Sequence, residues 1–483
     1  MNDAHDDISF IVAFPLPFRV LFLIGLGIAG WAANLHGLRH LGVDAATALD
    51  LNVDPDDSVA HVDHRHRGFK LVSDPASLYT PLYHFASFYI AWCFAAWVLY
   101  HLAVHGNPSF SDLYKFIPSL CALLALIALL NPYDVLAKRE RDAFLLSIRR
   151  CLFASANSPV YFSDVVFADI FTSYAKVLGD VWLSLFMLLP GGSLLTPPRQ
   201  DGWARWILPT LMSLPYAVRF RQCMIEYCLP YNESRRPLYN AVKYASSFPV
   251  IYLSAAQRLV VKDLVAVKGE QVVQEAWHGE HQLFRLWLLA AIVNSLYSFW
   301  WDVTNDWGFD LLKPSSHTSK RHSSPPRPLL LPSMHERAQS ITNPLVRENS
   351  STPLFSLSST SRRSSHPYGL RSILLFPLPL YPLAIFLDLI LRLTWSVKLS
   401  SHLHAHMKSE GSILIFWIEV AELVRRWVWV FVRVEWEVIK SAQEGYSATR
   451  SGVGHSLRSS GRSSLEENEE GLAERLELMS DAR

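Results

Sequence analysis

Long apolar blocks alternate with short polar connections along this chain. They fall near residues 18–35, 80–104, 116–131, 161–190, 203–218, 238–256, 283–302, 373–397 and 412–434. A helix needs about 20 apolar residues to cross a bilayer, and most of these blocks meet that length. The alternation of period two that marks membrane barrel strands is missing, so helices that satisfy their own backbone are the expected elements. The block 161–190 is too long for one straight crossing at about 1.5 Å per residue, and it carries Asp164, Asp169 and Asp180. It reads as one tilted helix or two short ones. The pattern predicts an all-α, polytopic transmembrane helical bundle of eight to ten helices.

Composition sharpens this reading. Half of the 483 residues are hydrophobic and only 18% are charged, a balance suited to lipid rather than to an ordinary soluble chain. Many of the 16 Trp and 18 Tyr residues stand at the ends of apolar blocks, where amphipathic rings anchor at headgroup level. A formal charge of +1, with no basic stretch interleaved with aromatics, argues against a nucleic-acid partner. The five cysteines have no paired spacing, so neither a disulfide framework nor a CxxC zinc site is expected. The acidic start MNDAHDDISF lacks the positive region of a signal peptide and is expected to be retained.

These features divide the chain into a short N-terminal segment (1–17), a main transmembrane block (18–311), an insertion (312–368), a final two-helix block (369–440) and a polar tail (441–483). The insertion is rich in Ser, Pro and Arg. It has too little apolar surface to offset the cost of ordering, and both it and the tail are expected to be disordered. Within the tail, 465–481 has the composition of a short acidic helix. Basic residues in 219–237, 312–368 and the tail place those segments on the cytosolic face and 257–282 opposite, by the excess of Lys and Arg on cytoplasmic loops. The sequons at Asn232 and Asn349 then face the cytosol and stay unmodified.

Ionisable residues inside apolar spans cost several kcal/mol and are candidates for function. Asp302 and Asp306 stand four apart on one helical face among Trp300, Trp301 and Trp307. They mark either a helix end reaching water or a polar lining. Arg392, with Trp395 three residues on, is flanked by leucines. In the last span Glu419, Glu422 and Arg426 share a face by their spacing, while Arg425 is expected to point elsewhere. Those charges read as an inter-helix salt link or as a cationic lining with its counter-charges. Lys243 and Tyr244 lie one turn into their span, where a lysine can snorkel to the interface. Asp169 with Thr172 and Ser173 forms a polar face within the long fourth block. Guanidinium forks match phosphate oxygens bidentately, and Arg/Lys linings are used by anion pores. The set therefore suggests a path for a small, partly protonated anion.

Other motifs carry less. The trios His61, His64, His66 and His402, His404, His406 have alternate spacing and no acidic support, and read as solvated rather than metal-binding. No Walker loop, GxSxG elbow or HExxH is present. Neither a cofactor nor a metal is expected, and nothing points to an enzyme.

Four stretches in order, RFRQCMIEYCLPYNESRRPLYNAVKYASSF, WWDVTNDWG, LRLTWS and ELVRRWVWVFVRVEWE, resemble the EXS domain, the membrane domain of SPX–EXS phosphate exporters and of a fungal ER-retention protein. The likeness runs from about Phe18 to about Glu437. It implies an anion path through Asp169, Lys243, Tyr244, Asp302, Asp306, Arg392, Trp395, Glu422, Arg425 and Arg426. Thr172 stands where the family has Asn. The insertion 312–368 departs from the family pattern, and no SPX segment is seen, so inositol-pyrophosphate control is not expected. The missing SPX segment and the short N-terminal segment bring the chain nearer to the retention-protein branch, whose members reside in the Golgi membrane, cycle with the endoplasmic reticulum and support Golgi glycosylation and retention of lumenal ER proteins.

The resemblance thus implies a Golgi transporter that exports inorganic phosphate from lumen to cytosol, with Trp395 narrowing the path. The rival expectation is a non-transporting scaffold whose cytosolic segments recruit glycosyltransferase-recycling machinery. A glycosyltransferase-sorting adaptor and a second copy of the chain are the protein partners considered, beside phosphate and the lipid bilayer.

Overall fold

The structure, a computed structural model, describes residues 9–43, 45–49, 79–155, 158–196, 198, 202–230, 232–268, 282–312, 368–371, 373–393 and 413–443. Trp395, both histidine trios, Asn349, and almost all of the insertion 312–368 and the tail 441–483 lie outside these residues. Two compact units are distinguished, Met1–Gly308 with Ile373–Arg483, and Phe309–Ser372. In the second, Asp310 N–H donates to the Gly369 carbonyl at 2.9 Å, and the Arg371 guanidinium lies 5.1 Å from the Phe309 ring centre.

The first unit is helical throughout its described residues apart from its turns and connections. Its principal helices are α1 (Leu16–His40), α2 (Thr80–Val104), α3 (Phe116–Leu130), α4 (Lys138–Phe153), α5 (Phe162–Ser173), α6 (Ala175–Leu188), α7 (Ile207–Cys228), α8 (Arg236–Ala245), α9 (Ser247–Lys268), α10 (Gln282–Trp301), α11 (Leu380–Arg392) and α12 (413–443). Four stretches, Leu16–His40, Thr80–Val104, Pro108–Leu130 and Gln282–Asp306, are each long and apolar enough to cross a membrane. This is an all-α helical membrane protein. Helix α2 turns Phe88, Trp92, Phe94, Leu99 and Leu102 outward, and α3 likewise exposes Leu120, Leu123, Leu126 and Leu130. Such surface is stable only against lipid or another apolar surface.

Helix α7 is the hub. It packs against α4, α5, α6, α8 and α9, while α1 pairs with α2, α3 and α6, and α9 with α10. Pro215 lies inside α7 and removes one ladder bond, a loss that neighbouring helices can make good in a membrane protein.

The structure resolves one block that the sequence pattern leaves open as one helix or two, and divides another that the pattern reads as a single helix. The block 161–190 is α5 followed by α6, parted at Tyr174, whose N–H turns back to the Phe171 carbonyl at 3.0 Å. The block 238–256 is α8 and α9, parted at Ser246; the Ser246 hydroxyl donates to the Lys243 carbonyl at 2.7 Å. Each break leaves carbonyls at a helix C-terminus that need donors; the Thr172 hydroxyl supplies one at the first break and Ser246 one at the second. The stretch 133–160, read as a loop, contains α4. There Arg141 gathers the carbonyls around the end of α3: its Nη1 donates to Ala128 at 2.6 Å and Asn131 at 2.8 Å, its Nη2 to Val135 at 2.8 Å, and its Nε to Leu136 at 3.0 Å.

The Tyr174 break is locked onto α1. Its hydroxyl donates to the Leu23 carbonyl at 3.1 Å, and it passes Gly27 so closely that a Cβ there would stand 1.7 Å from the oxygen. Gly27→Ala should therefore force the tyrosine out and destabilise the protein by about 1–3 kcal/mol, the usual cost of overpacking. Thermal unfolding of the purified protein in detergent checks this, and Tyr174→Phe in the same background should recover part of the loss.

Candidate functional site

Ten charged side chains from six helical elements meet in the first unit. The centre is a widened turn, Asp302–Asp306, that continues α10. Trp307 N–H bonds to the Asp302 carbonyl five residues back, at 2.8 Å. One such π-type turn inside a helix is rare and common at functional sites. It ends at Gly308, whose φ of +69° suits glycine and whose bare Cα admits the Trp436 ring; a Cβ would meet that ring at 2.6 Å.

The turn aims both carboxylates at α8. Lys243 Nζ lies 2.8 Å from Asp302 Oδ1 and 3.1 Å from Asp306 Oδ2. Trp301 Nε1 donates to the other Asp306 oxygen at 3.1 Å. The second oxygen of Asp302 receives the Arg392 guanidinium, with Arg425 Nη1 3.8 Å away. Asp302 is fully buried and Lys243 nearly so. Lys243 does not snorkel, and Arg392 is held among carboxylates rather than reaching the interface.

From Asp302 the contacts run on to α11 and α12. Arg392 Nε and Arg425 Nη1 each bind Asp388, at 3.0 Å. Arg425 also grips Glu422 through two nitrogens, 3.0 Å for Nε and 2.5 Å for Nη2. The expectation that Arg425 points away from Glu422 is thus corrected: positions three and four apart both lie on one helical face, and the three-apart pair is the one that bonds. Ser173 then donates to Glu422 at 2.9 Å and accepts from Arg426 Nε at 3.1 Å. Arg426 Nη2 donates to Thr172 at 3.0 Å, and the Thr172 hydroxyl to the Asp169 carbonyl at 2.7 Å.

The path closes through Tyr244, whose hydroxyl donates to Asp169 Oδ1 at 2.5 Å and whose ring lies 5.2 Å from Lys243 Nζ. Every predicted site residue within the described range, Asp169, Thr172, Lys243, Tyr244, Asp302, Asp306, Arg392, Glu422, Arg425 and Arg426, is part of this one closed circuit. Trp395 lies outside the described residues.

Two charged members were missed. Arg219 was read as part of a basic loop beginning at 219, but α7 continues to Cys228 and buries it. It binds Asp169 at 2.8 Å and Gln222 at 2.6 Å. Asp388, in LDLILR, is the other. Its spacing of four from Arg392 was the signal, as was the spacing of three between Arg219 and Gln222.

Charges are evenly matched: Lys243, Arg219, Arg392, Arg425 and Arg426 against Asp169, Asp302, Asp306, Asp388 and Glu422. This balance is what burial demands, because a buried charge is tolerable only when compensated. One cation departs from that rule. Arg426 is 6% exposed, has no carboxylate within 4.0 Å among the described residues, and keeps Nη1 without a hydrogen-bond partner. Its guanidinium stacks 4.7 Å from the Trp429 ring, and Trp429 Nε1 is likewise buried and unpartnered.

A model of the EXS family matches residues 14–439. The chain belongs to the EXS family. Among its EXS relatives, Protein ERD1 homolog 2 of Schizosaccharomyces pombe is 25% identical over 456 residues, covering 88% of this chain and 98% of that protein. ERD1 homolog 1 of the same yeast is 28% identical over 310 residues, covering 62% and 64%. Solute carrier family 53 member 1 of Cricetulus griseus is 22% identical over 447 residues. That match takes in 89% of this chain and half the length of the solute carrier.

Removing one member of the circuit should expose the cost of the others. Lys243→Met leaves Asp302 and Asp306 short of their shared cation and should lower stability by about 3–5 kcal/mol, the usual range for breaking a buried pair. Lys243→Met with Asp306→Asn should recover a large share. Denaturation of the single and double variants, read as a double-mutant cycle, checks the coupling.

Proposed function

We propose that this EXS protein is a transporter of inorganic phosphate, resident in the Golgi membrane and moving the anion from lumen to cytosol. Arg426 carries the reading. A buried guanidinium without a carboxylate partner among the described residues, with both N–H bonds of Nη1 unused and two hydroxyls beside it, leaves a cationic fork ready for an anion. Phosphate suits it because planar guanidinium groups bind its oxygens bidentately. Thr172 and Ser173, whose own protons go to the Asp169 carbonyl and to Glu422, each keep a lone pair able to accept from a P–OH group.

The neighbouring cations suit passage rather than tight capture. Arg392 and Arg425 share Asp388 and Asp302, so an entering phosphate oxygen can replace one carboxylate contact at a time. The guanidinium donors stay occupied throughout, which keeps the steps shallow, as conduction requires. The resemblance to phosphate exporters supports the choice of anion. The likeness to the retention-protein branch supports the Golgi, where glycosylation releases phosphate into the lumen. Support for glycosylation and for retention of lumenal ER proteins would follow from clearing that phosphate.

Purified protein in liposomes should release entrapped radiolabelled phosphate. Arg426→Ala should cut that flux by about 10- to 100-fold at limiting phosphate, the worth of one or two charge-assisted hydrogen bonds. Arg426→Lys, which keeps the charge but not the fork, should fall between. Wild-type liposomes no leakier to phosphate than empty ones would overturn the transport reading.

A further inference from the structure

Beside the circuit lies a second charged group that it does not use. Lys176 and Asp180, one turn apart on α6, are ion-paired, and Glu419 of α12 approaches the same Lys176 Nζ, with Oε1 at 3.5 Å. Two carboxylates therefore share one ammonium. Asp180 is 3% exposed and Glu419 7%. Glu419 Oε1 has no hydrogen-bond partner, and neither has the buried hydroxyl of Ser184, one turn beyond Asp180 on α6. Lys176 alone reaches outward, with about a third of its side chain exposed.

Among the described residues, no second cation forms an ion pair with Asp180 or Glu419. Val20 and Leu23 of α1, Val177 of α6 and Leu423 of α12 form a buried apolar cluster with Phe416, and Val420 and Tyr174 pack on it. The charged groups of the adjoining elements are engaged elsewhere. Arg19 of α1 donates to the Phe14 carbonyl at 2.8 Å. Lys115, which precedes α3, donates to the carbonyls of Leu189 and Gly192. Arg219 of α7 is bound to Asp169, Tyr174 to the Leu23 carbonyl, and Glu422, one turn after Glu419, to Arg425 and Ser173.

We propose that Asp180, Glu419 and Lys176 form a proton-binding site whose occupancy controls anion binding at Arg426. Two buried carboxylates against one ammonium leave an excess negative charge that the apolar cluster cannot solvate. A single proton removes it, binding to a Glu419 oxygen from the water that reaches Lys176 and returning the same way, with no other bond changed. Like-charged carboxylates that share a site hold such a proton between them. Both carboxylates are tied to the circuit by short covalent paths. Glu419 is one turn from Glu422 on α12, and α6 begins directly after Thr172, Ser173 and Tyr174. With the proton bound, the region is one unit less negative and receives an anion more readily. This inference rests on the transport reading for its consequence, though not for the proton site itself.

Two measurements on the full-length protein test it. Infrared difference spectra between mildly alkaline and mildly acidic pH should show a buried protonated carboxyl band that Glu419→Gln abolishes. In liposomes, phosphate flux should rise several-fold as pH falls, whereas Glu419→Gln, a stand-in for the protonated acid, should hold flux high and flat beyond what phosphate's own titration produces. Lys176→Met should move the wild-type profile to higher pH, a shift that a merely structural lysine would not cause. A wild-type spectrum without the band, or a Glu419→Gln profile that keeps the wild-type pH dependence, overturns the proposal. If wild-type protein moves no phosphate, the infrared titration alone decides it, and a band lost in Glu419→Gln would then sustain the proton site while the transport reading fell.

Discussion

The carboxylate of Asp302 is the contact around which this protein is organised. It has no exposure to solvent, and both of its oxygens are taken, one by Lys243 and the other by Arg392 with Arg425 nearby. Those cations come from three different helices. None could be left in an apolar interior alone, and Asp302 could not be left there without them. Helices α8, α11 and α12 are thus obliged to meet the end of α10, a stronger demand on geometry than apolar packing makes. The widened turn at 302–306 is how the backbone answers, because it lets Asp302 and Asp306 address one lysine from positions four apart.

That obligation separates two kinds of charge. Most are structural and reactive at once, since an arginine held by a carboxylate can exchange it for another oxyanion without ever being bare. Arg426 differs, being held by hydroxyls and by the face of Trp429. A fork satisfied only by neutral groups is where an anion gains most, because no carboxylate has to be displaced first. The closed circuit thus combines a rigid charged frame with one cation whose Nη1 is left vacant, a division that suits a passing ligand better than a uniform lining would.

Much of this was legible in the residues. Apolar blocks of membrane length mark Leu16–His40, Thr80–Val104 and Gln282–Asp306, because hydropathy is a local property. The intramembrane polar residues, together with the family likeness, picked out the site, since charge inside an apolar run is conspicuous wherever its partners lie. Arg219 was missed because a run of basic residues after an apolar block reads as a loop, and only the packing of α5 and α8 on α7 reveals a buried partner. The break at Ser246 was hidden for a related reason, while the length of 161–190 allowed the break at Tyr174 without placing it. No Gly or Pro stands at Tyr174, and Pro249 in the first turn of α9 is the local mark of the break at Ser246; both breaks are held by hydroxyls that reach other helices, at Leu23 and Asn294. The pairing of Arg425 rather than Arg426 with Glu422 was undecidable from spacing, as both positions face the same side of a helix.

The π-type turn also has a bearing on how such a chain can change over time. A wider coil accommodates one residue more than an ordinary helix would over the same rise, so its shape depends on a count of residues as well as on their identities. Losing a single position between Trp301 and Trp307 would rewind the coil and swing the following tryptophan and Gly308 away from Trp436. An insertion or deletion there would displace Asp302 from Asp306 even with every other residue kept, so the length of this stretch is constrained as tightly as the identities of the two aspartates.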